Sequence, residues 1–271
     1  MRRYCGHVPS STMAERTREE GASGSLIAAA NYIKRRPGAI SARGEAVARP
    51  IISQRDSLYE YLHDRGEILS ERYCRQFHHF GNGAEHEVYF DLEHRRAIKV
   101  TRSNNFGWSV AHEGAHATPF EYLRRLIYQN WFFGDAIALV GAAGSEGHME
   151  IITSQPWIDA DRIRPPATDE QIRTYFAEIG FFESRLYDSG GFFYHPQFNV
   201  IAADAHSRNE LVSSDGYIHP IDIVMGRPGS ILKSRLRTEF GLGVDACGGD
   251  TATTGDSSST TSILFEGGPT S

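Results

Sequence analysis

Val200-Ile201-Ala202-Ala203-Asp204-Ala205-His206-Ser207-Arg208-Asn209, read with Tyr217-Ile218-His219-Pro220-Ile221-Asp222-Ile223-Val224, decides the fold. An apolar run ends on an acid, and an Asn follows five positions later. The turn Ser213-Ser214-Asp215-Gly216 then leads into a second apolar run that delivers another acid. The pattern predicts two strands joined by a turn, with Asp204, Asn209 and Asp222 at one edge of a small sheet. Oxygen ligands so placed suit Mg²⁺, a hard cation that keeps waters and shares its shell with phosphates. Asp204 is then free to accept a proton. Asp and Asn also cap turns through their own side chains, so a plain hairpin uses the same residues.

The chain on the N-terminal side supplies what the stretch needs. Phe80-Gly81-Asn82-Gly83-Ala84-Glu85-His86-Glu87-Val88-Tyr89-Phe90 reads as strand, glycine turn, strand, and Arg96-Ala97-Ile98-Lys99-Val100 as a further strand with one Lys among apolar neighbours. A glycine-rich hairpin lets backbone N–H groups approach phosphates, and a Lys on the next strand reaches the same phosphates. Against the kinase pattern G-x-G-x-x-G-x-V followed by V-A-I-K, Gly81, Gly83, Val88, Ala97, Ile98 and Lys99 fit, and His86 stands in the place of the third Gly. D-x-x-x-x-N and then an Asp beyond a hairpin completes the phosphoryl-transfer set in order.

Composition bounds the class. With 271 residues, 40% apolar and 23% charged, the chain has room for one to two domains with ample core. A formal charge of −6 argues against a mainly nucleic-acid-binding protein. Cys5, Cys74 and Cys247 lie far apart, in no disulfide or zinc-finger spacing, which fits a reducing compartment. No apolar run reaches the ~18 residues that span a bilayer, and Glu15, Glu19 and Glu20 spoil a presequence. A cytoplasmic setting is expected, with no membrane partner.

In chain order, residues 1–50 read as a largely disordered basic segment with a short helix from Leu26 to Ile33 that stops at Pro37-Gly38. Asp56 to about Gln76 reads as two short helices broken at Gly66. Thr118-Pro119-Phe120-Glu121 opens a helix that runs to about Phe133 and is ended by Gly134-Asp135. Ala136–Val140 and Met149–Thr153 read as strands, and Thr168-x-x-Gln171 as a capping box opening a helix to about Phe181. A last helix is expected from Ser230 to about Phe240, and then a flexible Gly/Ser/Thr-rich tail over 241–271.

Gly83-Ala84-Glu85-His86-Glu87-Val88-Tyr89, Ile98-Lys99-Val100-Thr101, Glu121-Tyr122-Leu123, Ser154-Gln155-Pro156 and Asp204-Ala205-His206-x-x-Asn209 together resemble the polyvalent protein kinase domains of phage and mobile-element proteins. These are related in outline to aminoglycoside phosphotransferases and HipA-type kinases. The resemblance implies an α+β, two-lobed kinase-like domain over about 51–240. Its small antiparallel N-lobe sheet covers about 77–153, the hinge 154–158, and a reduced helical C-lobe 159–240. It also implies ATP and Mg²⁺. Carried over position by position, Gly81, Gly83, Val88, Lys99 and Gln155 bind the nucleotide and Asn209 and Asp222 the metal. Asp204 is the base, and Glu121, or else Glu113, pairs with Lys99.

Departures leave the phosphoryl acceptor open between a protein Ser/Thr hydroxyl and a small-molecule alcohol. Ala202-Ala203 precede Asp204 where protein kinases have His-Arg, Ile223-Val224 follow Asp222, and there is no A-P-E segment. The tail from Thr251 to Ser262 is itself rich in hydroxyls. A non-catalytic kinase-like binding module would keep the fold without turnover. His112-Glu113-Gly114-Ala115-His116 matches the zinc-peptidase motif H-E-x-x-H, although Gly114 and Pro119 suit one continuous helix poorly.

Overall fold

Val88 lies opposite Lys99, and Lys99 opposite Thr153, in neighbouring antiparallel strands. Gly81 lies opposite Val88, and Phe90, Ala97 and Gln155 form the next row on the same side. Directly opposed residues share a face, so these seven line one side of a sheet. This is a computed structural model that describes residues 13–36, 48–112, 114–145, 147–159, 165–187 and 190–242. The sheet has five strands, β1 (His78–Asn82), β2 (His86–Asp91), β3 (Arg96–Thr101), β4 (Ala138–Ser145) and β5 (His148–Pro156), in the order β1-β2-β3-β5-β4. Its other face buries Ile98, Val100, Ala143 and Ile152 under Leu69, Tyr73, Cys74 and Phe77, the last three from the short 3-10 turn around Tyr73–Gln76.

Beside the Lys99 row, the same face packs on helices. In α3 (Pro119–Phe133) the Thr118 hydroxyl accepts from the Glu121 N–H, Pro stands at the first helical position, and Gly134 closes the helix in the left-handed region at φ 68. This is the helix that the sequence pattern predicts. Leu123, Leu126 and Ile127 of α3 share one core with Leu139, Ala142, Met149 and Ile151 of the sheet.

The same core holds a feature that the sequence reading underestimated. The segment expected to be mostly disordered contains α1 (Met13–Arg35), and Leu26, Ala29, Ala30 and Ile33 are all essentially inaccessible. Their i, i+3, i+4, i+7 spacing is one helix face. Two of the four are Ala, which lets α1 approach closely but gives a weak apolar signal in sequence. The Ser25 hydroxyl also accepts from the Leu139 N–H (3.1 Å), which caps the outer edge of β4. Residues 1–12 and 37–47 lie outside the described residues, as does the expected tail beyond Leu242. Helix α2 spans Ala48–Asp64, longer on its N-terminal side than expected, and Gly66 at φ 69 ends it as the sequence suggests, but the second helix expected up to Gln76 is only the 3-10 turn at Tyr73–Gln76.

The second lobe is built on a four-stranded sheet, β11-β8-β7-β6, from β6 (Phe182–Glu183), β7 (Phe193–His195), β8 (Val200–Ala203) and β11 (Val224–Gly226). Among the described residues its helices are α4 (Asp169–Glu178) and α5 (Ser230–Glu239), in keeping with a reduced helical lobe. Helix α4 opens on the Thr168/Gln171 capping box but stops before the expected Phe181, because Gly180 turns at φ 85. Phe176, Phe181 and Phe193 form the aromatic centre of this core. The expected hairpin differs in its pairing. The apolar run of β8 pairs with β7 and β11, while the polar turn joins two other strands, β9 (Glu210–Val212) and β10 (Ile218–Pro220). Asp204 leaves β8, Asn209 enters β9, and Asp222 sits between β10 and β11, so the acids stand at strand ends. No described helix is long and apolar enough to cross a membrane.

Candidate active site

Lys99, on β3, is separated from Asp222 by 123 positions in the chain, yet its Nζ donates to Asp222 Oδ1 at 2.6 Å. Burial alone would raise the Asp222 carboxyl. The Lys99 ammonium overrides it and, with the charges of His86 and Arg125, holds the acid far below the usual carboxylate range. Asp222 is ionised at any working pH, and its side chain remains 44% exposed.

The backbone around Asp222 is fixed from both sides. The Ile221 N–H donates to Asn209 O (2.7 Å), which ties the Asp222 turn to the Asn209 loop. On the other side, buried Gln129 of α3 donates from Nε2 to Ile223 O (2.5 Å). Asp222 itself has φ 55 and Asp204 φ 63, a left-handed conformation that Asp tolerates better than most residues.

Asp204 and Asn209 form the second cluster. Asn209 Nδ2 donates to both Asp204 Oδ2 (3.0 Å) and Asp204 O (2.9 Å), and His206 Nε2 lies 3.1 Å from Asp204 Oδ1. Gly191, at φ 67, passes directly beneath Ala205, where a side chain would collide with the Ala205 carbonyl oxygen. The Ala205 N–H donates to Gly191 O (3.0 Å), so the loop that carries Asp204 is anchored on a glycine. Asp204 keeps 56% of its side chain exposed.

Two expected site residues are placed differently. Glu121 does not meet Lys99: its Oε2 accepts from the Thr118 N–H (2.8 Å) and its Oε1 from the Ser109 hydroxyl (2.8 Å). The capping box uses the carboxylate that would have served the Lys, and Asp222 takes its place. Glu113, the other choice, lies outside the described residues. Gln155 shares the Lys99 face but stands inside β5, buried and opposite Ala97, so the strand continues through the first part of the expected hinge. The Trp157 N–H donates to Arg95 O (2.9 Å), which carries the chain past that strand end.

Three groups near the cleft escaped the sequence reading. Trp157 packs on Phe80 and Phe90, with ring centroids 4.7 and 4.3 Å apart, and Phe80 is exposed. These aromatics form a lip beside the Ala97–Gln155 row. The second group is the buried pair of Glu85 and Arg125, where Nη1 donates to Oε2 (3.0 Å) and Nη2 to Oε1. The third is Glu210, next to Asn209, which is 2% exposed with both carboxylate oxygens unpartnered.

Burial, reinforced by the Asp135 carboxylate, pushes Glu210 up to about 8. An acid with a folded pKa above its unfolded value of about 4.3 stabilises the folded state below that value and loses the contribution as pH rises toward 8. Melting temperature is therefore expected to fall between pH 5 and 8, and Glu210→Gln to flatten that slope. Melting curves across that range with an unaltered slope in Glu210→Gln would refute the assignment.

His112 and His116 lie in a loop before α3, where Gly114 has φ 74 and the Ala115 N–H donates to His112 O (3.1 Å). His116 stacks on Trp108 with centroids 5.0 Å apart. The two histidines share no helix face, so the zinc-peptidase arrangement is not formed. Among the described residues no group of three His, Cys, Asp or Glu is placed to hold a metal.

No curated protein and no solved structure matches the chain significantly. A family model does, over residues 53–226, from α2 through β11; it describes serine/threonine/tyrosine kinases found in polyvalent proteins. The match covers both lobes and every clustered residue above, and the chain belongs to this family of kinases found in polyvalent proteins.

Proposed function

We propose that this kinase transfers the γ-phosphoryl group of ATP to a hydroxyl, with Mg²⁺ as cofactor and a protein Ser or Thr as acceptor. The observation that carries the reading is the Lys99–Asp222 contact, which joins the N-lobe sheet to the Asp204–Asn209 loop across one cleft. The residues present fit the metal: Mg²⁺ takes one or two carboxylates and completes its shell with water and phosphate oxygens. Asp222, ionised and partly exposed, and Asn209, tied to it through Ile221, would hold it. When bound, Mg²⁺ neutralises charge on the phosphates.

The chain's own residues do the rest. Lys99 places a cation on the cleft face in the row of Gly81 and Val88, where it holds the α- and β-phosphates. At Gly81 an added Cβ would meet nothing within 4 Å, so the protein's own packing does not demand glycine there; the close approach of a phosphate would. Ala97 and the Phe80–Phe90–Trp157 lip, whose rings are tilted against one another, offer the base an apolar seat beside Gln155. Asp204, held by Asn209 and His206, orients the acceptor hydroxyl and takes its proton. The setting in this reading is the cytoplasm, with a phage or mobile element as the source of the gene.

Thermal shift tests the nucleotide step. ATP at about 100 times its Kd stabilises by about 2.7 kcal/mol, roughly 5–10 °C for a domain of this size. The shift is expected with Mg²⁺ and is expected to vanish with chelator; no shift in either condition ends the reading. Intact-mass analysis after incubation with Mg²⁺-ATP then addresses the acceptor. Added phosphoryl groups place it on the chain itself, the Thr251–Ser262 tail included, and ATP turnover only with an added alcohol makes it a small molecule.

A further inference from the structure

In place of a helix carboxylate on the strand lysine, α3 presents a cation to the glycine turn. We propose that the Glu85–Arg125 pair is a positioning pair, which locks the turn between β1 and β2 over the phosphate-binding part of the cleft. The role rests on the nucleotide reading above.

Glu85 is the last residue before β2, at the foot of the turn that begins with Gly83. Arg125 is 3% exposed and meets both of its carboxylate oxygens. Burial would raise the Glu85 carboxyl, yet the guanidinium holds it below its ordinary value, so both members are charged. The fit is specific: at Gly107, with φ 77, any side chain would collide with the Glu85 carboxylate. Arg102 holds the same turn from the end of β3, through Nη2 to Gly83 O (3.0 Å) and through its N–H to Glu85 O (3.0 Å).

The next residue carries the lock to the chemistry. His86 is buried, its Nε2 lies 3.0 Å from the Tyr122 hydroxyl of α3, and its Nδ1 lies 3.9 Å from Asp222 Oδ1. Glu85 and His86 therefore tie the turn to α3, and α3 is tied to the Asp222 turn through Gln129. Glu121, the carboxylate expected from sequence to pair with Lys99, is occupied in the helix cap. The glycine turn, α3 and Asp222 thus form one connected unit, in which Arg125 stands where its charge also faces Asp222.

A purely structural pair and a positioning pair respond differently to neutral replacement. Breaking one partner of a buried pair strands a charge, whereas replacing both by neutral groups of similar shape is often tolerated. The informative variant is the double substitution Glu85→Gln with Arg125→Met in the full chain. Its melting temperature is expected to recover relative to either single variant. Hydrogen exchange of the amides at 81–87 is expected to rise at least about tenfold while β3 to β5 stay protected. KM for ATP is expected to rise by about tenfold or more, with a smaller fall in kcat. Wild-type exchange and KM in the double variant would overturn the proposal and leave the pair a packing feature. If the wild-type chain gives no Mg²⁺-ATP response while exchange still rises in the variant, the nucleotide reading fails and the lock on the turn stands.

Discussion

Asp222→Asn is expected to abolish the Mg²⁺-dependent stabilisation by ATP while leaving a folded chain. Asn suits the site better than Ala as a replacement, because residue 222 sits at φ 55, where Asn and Asp are tolerated and a plain Cβ is strained. The variant keeps the shape of the turn and removes only the charge. That charge is the anionic end of the Lys99 contact and the one carboxylate tied to Asn209 through Ile221. Without it, Lys99 loses its partner at 2.6 Å. Breaking a fully buried pair costs about 3–5 kcal/mol, and the cost here is smaller because Asp222 is 44% exposed. Melting with and without Mg²⁺-ATP separates the two effects. The ligand-free transition should fall by a few degrees, and the increment from Mg²⁺-ATP should be absent rather than reduced. An Asp222→Asn chain that gains as much from Mg²⁺-ATP as the wild type would remove Asp222 from the site.

The parts of the fold legible in the sequence are those whose signal is local. Thr118, Pro119 and the Gly134-Asp135 stop bracket α3 closely because capping is settled within one helical turn. The β1–β3 meander follows from the glycine turn at Gly81-Asn82-Gly83 and the polar turn between Asp91 and Arg96. Lys99, Asp204, Asn209 and Asp222 could be named because their order and spacing follow the kinase pattern, and the structure pairs Lys99 with Asp222 and Asp204 with Asn209. What escaped depends on partners distant in sequence. The Ala-rich face of α1 is buried only because α3 and the sheet accept it. The run at 200–203 looks like half of a hairpin, but it is bonded on both sides by β7 and β11, and no local turn signal announces that. Glu121 has two possible uses, cap or Lys partner, and sequence does not weigh them; the Ser109 hydroxyl and the Thr118 N–H decide in favour of the cap. Glu85 lies in one of the recognised stretches, but nothing in the sequence joins it to Arg125, 40 positions on.

The placement of these misses is informative in itself. The pieces named from sequence are those that would touch nucleotide or metal, and the pieces found only in the structure hold them in place. Gln129 fixes the backbone after Asp222, Gly191 seats the Asp204 loop, and the Glu85–Arg125 pair anchors the glycine turn. A reading confined to the motif residues would miss variants at the supporting positions that disable the enzyme without touching a ligand.

Asp204→Asn is expected to preserve the Mg²⁺-ATP thermal shift and to lower turnover by about 10²–10⁴, the usual contribution of a positioned general base. Residue 204 lies at φ 63, which Asn adopts as Asp does, so the loop keeps its course. Its anchors also remain: the bond from Asn209 Nδ2 to the 204 carbonyl oxygen and the Ala205 N–H bond to Gly191 O are both backbone-directed. What is lost is the carboxylate whose two oxygens face Asn209 Nδ2 at 3.0 Å and His206 Nε2 at 3.1 Å. Those two groups aim the acid, while its exposure leaves it open to an incoming hydroxyl. In the proposed reading the nucleotide is held by Lys99, Asp222 and the glycine turn, none of which this substitution alters, so binding and turnover are expected to separate. Measured together, an intact thermal shift with phosphoryl transfer reduced a hundredfold or more establishes Asp204 as the base. Equal loss of binding and turnover would instead make it part of the nucleotide site, and wild-type turnover would mean that the hydroxyl is deprotonated without help from residue 204.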